Sequence, residues 1–310
     1  MVDIIVRAYN QEDMIRQNLD SLMAQQTNYA FKVIIGENHS TDNTLAVCRE
    51  YAAKYDNIQL LAHPQNIGGQ RNLLECINAG TGKYIMVCDG DDWWQNPNKI
   101  QMQVDFMETH PECVVLHSDY DTYDERTGKT IHNHNKSMGI NMLEGRIQRE
   151  LFSGNPSICW PTSCIRRSSF EQYMPLEKFI KIGTVGEDWP TWVVLSAYGE
   201  VRYLPVSTVT YRMGNVSVTR DIDYNRILRR REGDKNTVRL LHEMFPYFGA
   251  YHEDEYFNNQ YSHLLLMAAY RNNDYASAKK FAREDKRPTI MTRMAHTWLT
   301  FQLARLLRQP

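Results

Sequence analysis

The feature that most constrains the fold is an alternation of short apolar runs with amphipathic stretches in the first part of the chain. Four apolar runs have the length and β-branched content of buried strands, and they occupy residues 3–6, 31–35, 57–62 and 84–87. Three stretches with helical spacing lie between them, near residues 14–26, 45–51 and 71–79. Strands that alternate with helices at this spacing predict an α/β fold with a mainly parallel sheet flanked by helices.

A polar segment follows three of the four predicted strands. Residues 8–10 follow the first strand, residues 37–38 the second and residues 89–92 the fourth. In open parallel sheets, ligands bind at the carboxyl ends of the strands. We therefore expect these three segments to meet at one edge of the sheet and to form a binding site there.

The segment after the fourth strand carries three carboxylates around one glycine. Asp89, Asp91 and Asp92 offer the hard oxygen ligands that suit Mg²⁺ or Mn²⁺. Gly90 lets the backbone turn tightly and lets a ligand approach. The alternative is an acidic turn that caps the helix expected after residues 96–97.

Composition and charge narrow the class of protein. Apolar residues make up 42% and charged residues 23% of the chain, which is typical of a globular protein. With a net charge of -2, the chain does not have the excess of basic residues that is typical of nucleic-acid-binding proteins. The six cysteines form no CxxC pair, and we expect them to be reduced and to pack as small apolar residues. The chain shows neither a secretory signal pattern nor a transmembrane-length apolar run, so we expect a soluble cytoplasmic protein.

Four segments together resemble a known family. They are VRAYNQED (6–13), IIGENHSTDNT (34–44), NIGGQRN (66–72) and YIMVCDGDDWW (84–94). In order and spacing they resemble the signature of family 2 glycosyltransferases, and the resemblance extends over roughly residues 1–215. It implies a GT-A type fold, in which a Rossmann-like, mostly parallel sheet is flanked by helices.

The resemblance implies a set of donor-binding residues. Glu37 stands where the family has its base-binding Asp, and the Asp89-Gly90-Asp91 segment matches the DxD motif that holds the cation and touches the ribose. The metal ligands implied are Asp91, Asp89 and Asp92. The full donor-binding set implied is Ala8, Tyr9, Asn10, Glu37, Asn66, Gly69, Arg71, Asn72, Asp89, Gly90 and Arg212. Two simpler interpretations stay open: residues 38–44 are a helix N-cap, and Arg71 is an ordinary surface arginine.

A second acidic pair supplies the catalytic residues. GTVGEDWPTWVVL (183–195) matches the family's ED motif, which implies Asp188 as the base of an inverting transfer, with Glu187 beside it. The alternative is an ordinary helix start. The family's YR-x-H segment reads Tyr211-Arg212-Met213-Gly214 here, so a histidine ligand is not supported. The cation would then be held by the acidic cluster, the diphosphate and water.

The remaining segments predict the domain organisation. Strand signals end near residue 222, which divides the chain into a catalytic domain (1–221) and a C-terminal all-helical extension (222–310). Within the catalytic domain, residues 1–105 are expected to bind the nucleotide sugar and residues 106–221 to supply the acceptor site and the base. Helices are expected at 225–243, 254–270, 275–285 and 290–307.

The last predicted helix has two possible roles. It places Ile290, Met294, Trp298 and Phe301 on one face, and the flanking arginines are Arg293, Arg305 and Arg308. Such a stripe packs on the catalytic domain or on another subunit. Alternatively, it lies on an anionic membrane surface at the inner face of the cell membrane, where a lipid-linked acceptor would be found.

The resemblance thus implies a metal-dependent inverting glycosyltransferase. It would move a hexose from a nucleotide sugar, with UDP as the expected nucleotide, to a hydroxyl of a glycan or lipid-linked oligosaccharide in surface polysaccharide, lipopolysaccharide or capsule biosynthesis. The alternative function is a catalytically silent nucleotide-sugar-binding or scaffold protein with the same fold. Trp93 and Trp94 are open between core packing and a sugar platform. His132 and His134 are interpreted as loop residues rather than a metal site.

Overall fold

The computed structural model describes residues 1–154, 157–214, 223–249, 253–285 and 289–306. The chain divides into two compact units, one formed by Met1–Ile180 with Gly186–Asn215 and the other by Lys181–Val185 with Val216–Pro310. The boundary predicted near residue 222 lies outside the described residues. It therefore stays a prediction.

The first unit is built on an eight-stranded sheet. Its strands are β1 (Val2–Ala8), β2 (Phe31–Glu37), β3 (Ile58–Ala62), β4 (Tyr84–Val87), β5 (Cys113–Asp124), β6 (Lys129–Ile131), β7 (Cys164–Arg166) and β8 (Glu200–Met213). Its helices are α1 (Ile15–Met23), α2 (Thr44–Lys54), α3 (Gly69–Asn78), α4 (Lys99–Thr109), α5 (His134–Ser137), α6 (Gln148–Phe152), α7 (Arg167–Tyr173), α8 (Leu176–Lys181) and α9 (Asp188–Leu195).

The sheet has the order β3-β2-β1-β4-β7-β5-β6, and β8 pairs with β5. Strands β3, β2, β1 and β4 are parallel to one another, and β8 is parallel to β5. Strand β7 runs antiparallel to β4 and β5, and β6 runs antiparallel to β5. The predicted α/β fold with a mostly parallel sheet flanked by helices is confirmed, and the antiparallel strands make the sheet mixed.

Three of the four predicted strands, β1, β2 and β4, are buried along most of their length, whereas the edge strand β3 is buried only at Ile58. In β1, the side chains of Ile4, Ile5 and Val6 are all inaccessible to solvent, and every residue of β4 is buried as well. Consecutive apolar residues, rather than alternating ones, are typical of parallel strands covered on both faces. The N-terminal half of the sheet is therefore rigid where it positions the segments that follow each strand.

The second unit is helical. It contains α10 (Tyr224–Met244), α11 (Glu253–Arg271), α12 (Tyr275–Glu284), α13 (Ile290–Met294) and α14 (Trp298–Leu306). Asp223 caps α10 by accepting the backbone N–H of Arg226 at 2.9 Å, and Asp274 caps α12 by accepting that of Ser277 at 3.0 Å. Among the described residues, no helix is long and apolar enough to cross a membrane.

The single helix predicted for residues 290–307 is wrong. Two helices, α13 and α14, occupy its described part, because Thr297 starts a new helix by accepting the backbone N–H of Thr300 at 3.2 Å. Phe301 is consequently buried while Ile290 and Trp298 are exposed, so the predicted common face does not exist. Leu307 and Arg308 lie outside the described residues.

Candidate active site

Arg7 connects the acidic turn after β4 to the acidic pair before α9. Because β1 and β4 are parallel neighbours, the end of β1 lies beside the turn that begins at Asp89. The Arg7 guanidinium donates to both Asp89 carboxylate oxygens, from Nε to Oδ1 at 2.6 Å and from Nη2 to Oδ2 at 2.5 Å. Its Nη1 donates to Glu187 Oε1. Burial alone would lower the pKa of Arg7, but the charges of Asp89 and Glu187 outweigh it and raise that pKa above its ordinary value.

Asn18 of α1 holds the backbone of the acidic turn in place. The fully buried Asn18 donates its Nδ2 hydrogens to the backbone oxygens of Asp89 at 2.9 Å and Asp92 at 2.8 Å. Gly90 is held against the same helix, since a Cβ added there would collide with Gln11 Oε1 and stand 2.9 Å from Ile15 Cδ1. The turn therefore has one backbone geometry, and a larger residue at position 90 would displace it.

The acids of the turn differ in their surroundings. Asp92 is buried and accepts the backbone N–H of Arg212 at 2.8 Å. Burial and the charge of Asp91 raise the pKa of Asp92 above its ordinary value. Burial and the charge of Asp89 raise the pKa of Asp91 to about 6. The charges of Arg7 and Arg212 act in the opposite direction but do not outweigh the burial of Asp91 and the charge of Asp89.

The acids of the turn do not by themselves form a complete metal site, so a cation there would need further ligands from a bound substrate and from water. No three His, Cys, Asp or Glu side chains converge into a metal-binding group in the part of the chain that the structure describes. The Asp89 carboxylate is occupied by Arg7, and Asp92 accepts a backbone N–H, which leaves Asp91. Mg²⁺ is commonly held by one or two carboxylates together with substrate phosphates and water. The assignment of all three acids as ligands stays a prediction.

Arg212 lies at the end of β8 against the acidic turn. Its Nε donates to the Asp91 backbone oxygen at 2.7 Å, its Nη2 to Gln17 Oε1 at 2.6 Å, and its Nη1 pairs with Glu125 at 3.2 Å. The guanidinium carbon stands 4.8 Å from the centre of the Trp93 ring. Arg212 is thus fixed close to Asp91, although its predicted contact with a diphosphate is untested.

The two tryptophans of the turn have different environments. Trp94 is buried in the core cluster, where the Lys99 ammonium lies 5.0 Å from the centre of its ring. Trp93 is partly exposed, pairs through its backbone with Thr210, and has Tyr123 edge-on at 5.9 Å. Core packing is therefore the role of Trp94, whereas Trp93 is partly exposed between Arg212 and Tyr123.

The segments after β1 and β2 meet as the parallel register requires. Ala8 pairs with Glu37 in the sheet. Asn10 has a left-handed backbone conformation with φ +52°, and its Oδ1 accepts the backbone N–H of Thr41 at 2.8 Å. Glu37 is fully buried, with Oε1 accepting the Ser40 N–H at 2.8 Å. Its Oε2 has no hydrogen-bond partner among the described residues.

The predicted residues of the third segment divide between surface and core. Asn66 Oδ1 accepts from Asn38 Nδ2 at 3.2 Å and from a backbone N–H at 2.9 Å. Asn72 is buried and donates to the Gly36 backbone oxygen at 2.6 Å, which fixes α3 to β2. Arg71 pairs with Glu177 at 3.8 Å.

Gly69 and Tyr9 complete the donor-binding set. A Cβ added at Gly69 would have Arg7 Nη1 as its nearest neighbour at 4.0 Å, so the start of α3 faces the same guanidinium that holds Asp89. The Tyr9 side chain is exposed directly after β1. The donor-binding roles of all these residues remain predictions.

Asp188 is the first residue of α9, and Glu187 precedes it. Burial and the adjacent charge of Glu187 raise the pKa of Asp188 above its ordinary value. A carboxylate with raised proton affinity is suited to general-base catalysis near neutral pH. The helix-start interpretation is also correct as geometry, and it is compatible with a catalytic role.

Sequence reasoning missed Arg7 and Asn18. Each carries a signal in the sequence: Arg7 is the one cation in strand β1, where every other residue except Asp3 is apolar, and Asn18 is an amide on the apolar face of α1. Polar groups in such positions need a buried partner. The partners belong to turns distant in sequence, which the periodicity of a single element does not reveal.

The first unit thus combines a parallel half-sheet that has acids at its strand ends with an acidic pair at the start of a helix. The family model described as Glycosyl transferase family 2 matches residues 3–174. The chain belongs to this family, which confirms the resemblance stated from the sequence.

Similar proteins support the fold over most of the chain. An uncharacterized protein of Mycobacterium tuberculosis, Rv1520, is 38% identical over 115 residues, covering 37% of this chain and 33% of that protein. The chain thus matches about a third of this relative's length. S. aureus TarS 1-349 in complex with UDP-GlcNAc aligns with 98% of this chain and 88% of its own, at 15% identity and a TM-score of 0.54.

A second solved structure is similar along the whole chain. The mannosyltransferase PcManGT from Pyrobaculum calidifontis, in complex with GDP-Man and Mn²⁺, aligns with 100% of this chain and 88% of its own. Its identity is 16% and its TM-score 0.56. At such low identity, both solved structures establish the fold alone.

Proposed function

We propose that the protein is an inverting, metal-dependent glycosyltransferase that moves a hexose from a UDP-linked sugar to a hydroxyl of a glycan or lipid-linked oligosaccharide. One observation carries the proposal: Arg7 bridges the acidic turn at Asp89 and the acidic pair at Glu187. This ion-pair network brings the two acidic segments to one place. Residues 1–105 would bind the donor, and residues 106–221 would supply the base and the acceptor site.

The donor end of the site is assigned to the strand-end segments. Burial and the charge of Asp89 raise the pKa of Asp91, and Arg212 Nε lies 2.7 Å from the Asp91 backbone oxygen. In this assignment, Asp91 would hold Mn²⁺ or Mg²⁺ together with the diphosphate, and Arg212 would supply further positive charge. When bound, the cation neutralises negative charge on the departing diphosphate. Residues 8–10 and Glu37 would border the base and the ribose.

The transfer step requires one proton acceptor. Asp188 would take the proton of the acceptor hydroxyl while the hydroxyl oxygen forms a bond to the anomeric carbon of the donor sugar. The bond between that carbon and the diphosphate oxygen breaks, and the nucleoside diphosphate leaves with the bonding electron pair. Attack from the face opposite the leaving group inverts the anomeric configuration.

The acceptor class is proposed from the family resemblance. Surface polysaccharide, lipopolysaccharide or capsule biosynthesis would supply a glycan hydroxyl, free or lipid-linked. The two similar solved structures contain nucleotide sugars with different nucleotides, which are UDP in UDP-GlcNAc and GDP in GDP-Man. The choice of UDP is therefore part of what the test must decide.

Nucleotide release with a panel of donors tests the proposal. UDP-glucose, UDP-galactose, UDP-GlcNAc and GDP-mannose are incubated with the protein, Mn²⁺ and mixed glycan acceptors. We expect one UDP sugar to be turned over, and Asp188→Asn to lower kcat by roughly 10²–10⁴-fold, the usual contribution of a general base. Asp56→Asn, at an exposed acid of the same unit, is the matched control and should retain activity.

Two outcomes would contradict the proposal. If the protein binds UDP but turns over no donor, it is a silent nucleotide-sugar-binding protein. If Asp188→Asn retains the turnover of the wild type, another group is the base. The pH profile adds a check: because the raised pKa of Asp188 must be passed for the base to ionise, activity should fall on the acid side at a higher pH than an ordinary aspartate would give.

A further inference from the structure

The last two helices expose large apolar side chains on their outer side. The exposed residues and their exposed fractions are Ile290 68%, Trp298 57%, Leu299 75% and Leu303 52%. The inner side of these helices is apolar too, since Met291, Ala295, Phe301 and Ala304 are buried. The buried side chains therefore pack α13 and α14 within their unit, and the exposed apolar side chains do not contribute to that packing.

The exposed residues of α14 form one stripe. Trp298, Leu299 and Leu303 stand at i, i+1 and i+5, which places them on the same side of a helix with 3.6 residues per turn. The orientation of α14 is fixed by Phe301, whose ring stacks on Tyr270 at 4.7 Å and contacts Tyr275 at 5.4 Å. We call Ile290, Trp298, Leu299 and Leu303 the α13–α14 face.

The charge of this part of the chain has a single sign. Residues 286–310 contain five cations, Lys286, Arg287, Arg293, Arg305 and Arg308, and no Asp or Glu. Arg293 is exposed on α13. The whole chain, by contrast, has a net charge of -2. Large apolar side chains beside unbalanced cations are the combination that binds an anionic lipid surface.

We propose that the α13–α14 face lies on the surface of an anionic lipid membrane, with its apolar side chains inserted among the lipids and the exposed Arg293 of α13 at the headgroups. Trp298 suits the headgroup level, where an indole ring has both apolar and polar surroundings. The proposal is independent of the reaction assigned to the first unit.

A second copy of the chain is the less suitable occupant. In a two-fold dimer, the same patch of each copy meets its equivalent. In that arrangement the exposed Arg293 of each copy would face the same part of the other copy, and residues 286–310 contain no acid to pair with it. Like charges across an interface are unfavourable. An anionic membrane supplies the missing negative charge.

Vesicle sedimentation of the full-length chain tests the proposal. Vesicles of pure phosphatidylcholine are compared with vesicles containing phosphatidylglycerol, at low and high salt. We expect the wild type to sediment with phosphatidylglycerol vesicles only and to be released by salt, because the headgroup attraction is screened. The double variant Leu299→Ser/Leu303→Ser should lose at least tenfold in partitioning. Because both leucines are exposed, its thermal stability should be unchanged.

The matched control is Ile131→Ser/Met138→Ser, which replaces two exposed apolar side chains of the first unit. This control should bind vesicles like the wild type. Three results would overturn the proposal. The first is that the wild type stays in the supernatant with both kinds of vesicle. The second is that the leucine variant binds vesicles as well as the wild type does. The third is that light scattering finds the wild type to be a dimer and the leucine variant to be a monomer. The last result would assign the α13–α14 face to a second copy.

Discussion

Replacing Arg7 with methionine removes the cation that holds two acids of the candidate site. Methionine keeps much of the length and apolar volume of the arginine stem, so the change is mainly one of charge and hydrogen bonding. It leaves the Asp89 carboxylate without its two guanidinium hydrogen bonds and Glu187 without its ion pair. Neither acid can regain full hydration in place.

The expected loss of stability follows from the burial of the pair. Removing one partner of a buried ion pair costs about 3–5 kcal/mol, because the remaining charge is uncompensated. The Glu187 side chain is only 7% exposed, whereas Asp89 is 25% exposed and can recover some solvation. We therefore expect a loss near the lower end, about 3 kcal/mol. In a unit of this size, that loss lowers Tm by roughly 6–12 °C.

Calorimetric unfolding at neutral pH measures this effect, and the chain offers a matched control. Arg16 donates two 2.8 Å hydrogen bonds to Glu50, but both side chains are about half exposed. Arg16→Met should have a much smaller effect on Tm, because an exposed ion pair is screened by solvent and contributes little to stability. The triple variant Arg7→Met/Asp89→Asn/Glu187→Gln should recover part of the loss, because no charge remains buried. If Arg7→Met costs no more than Arg16→Met, the account of Arg7 as a buried bridge is wrong.

Two further changes test the core around the site. Burial lowers the pKa of Lys99 to about 7, whereas the pKa of a lysine in the unfolded chain is about 10.4. Between these two pH values the unfolded chain holds a proton that the folded chain has lost. The free energy of unfolding should therefore rise by about 1.4 kcal/mol per pH unit. Lys99→Met should remove that slope in urea unfolding at pH 7 and 9. Gly36→Ala should cost about 1–3 kcal/mol, because the new methyl group collides with Asn72 and stands 2.5 Å from Cys76 Sγ. Gly69→Ala, with no atom closer than 4.0 Å, is its control, and an equal loss of Tm in both would refute this reasoning.

The sequence predicted the half of the fold that depends on buried parallel strands. Continuous apolar runs and the turns after them located β1 to β4 within one or two residues, and parallel register brings Ala8 beside Glu37. Antiparallel β7 was not predictable, because its three residues are too few to give a periodicity. It lies between β4 and β5 only because of tertiary pairing.

The contacts within the candidate site were harder to predict than its location at the carboxyl ends of the parallel strands. Arg7 and Glu187 are 180 positions apart, so no local pattern indicates that they meet. The break between α13 and α14 was missed for a different reason. Apolar spacing continues across it, and only the Thr297 cap on the Thr300 N–H separates the two helices. A capping residue inside an apolar stripe is the signal that would have located the break.

The most direct test of the central claim separates donor binding from proton transfer. Calorimetric titration with UDP, with and without Mn²⁺, is run beside nucleotide release for the wild type, Asp91→Asn and Asp188→Asn. We predict that Mn²⁺ strengthens UDP binding to the wild type, that Asp91→Asn abolishes this gain, and that Asp188→Asn binds UDP normally but does not turn over the donor. If Mn²⁺ has no effect on UDP binding, or if Asp188→Asn loses binding and turnover together, the division of roles between the two acids is contradicted.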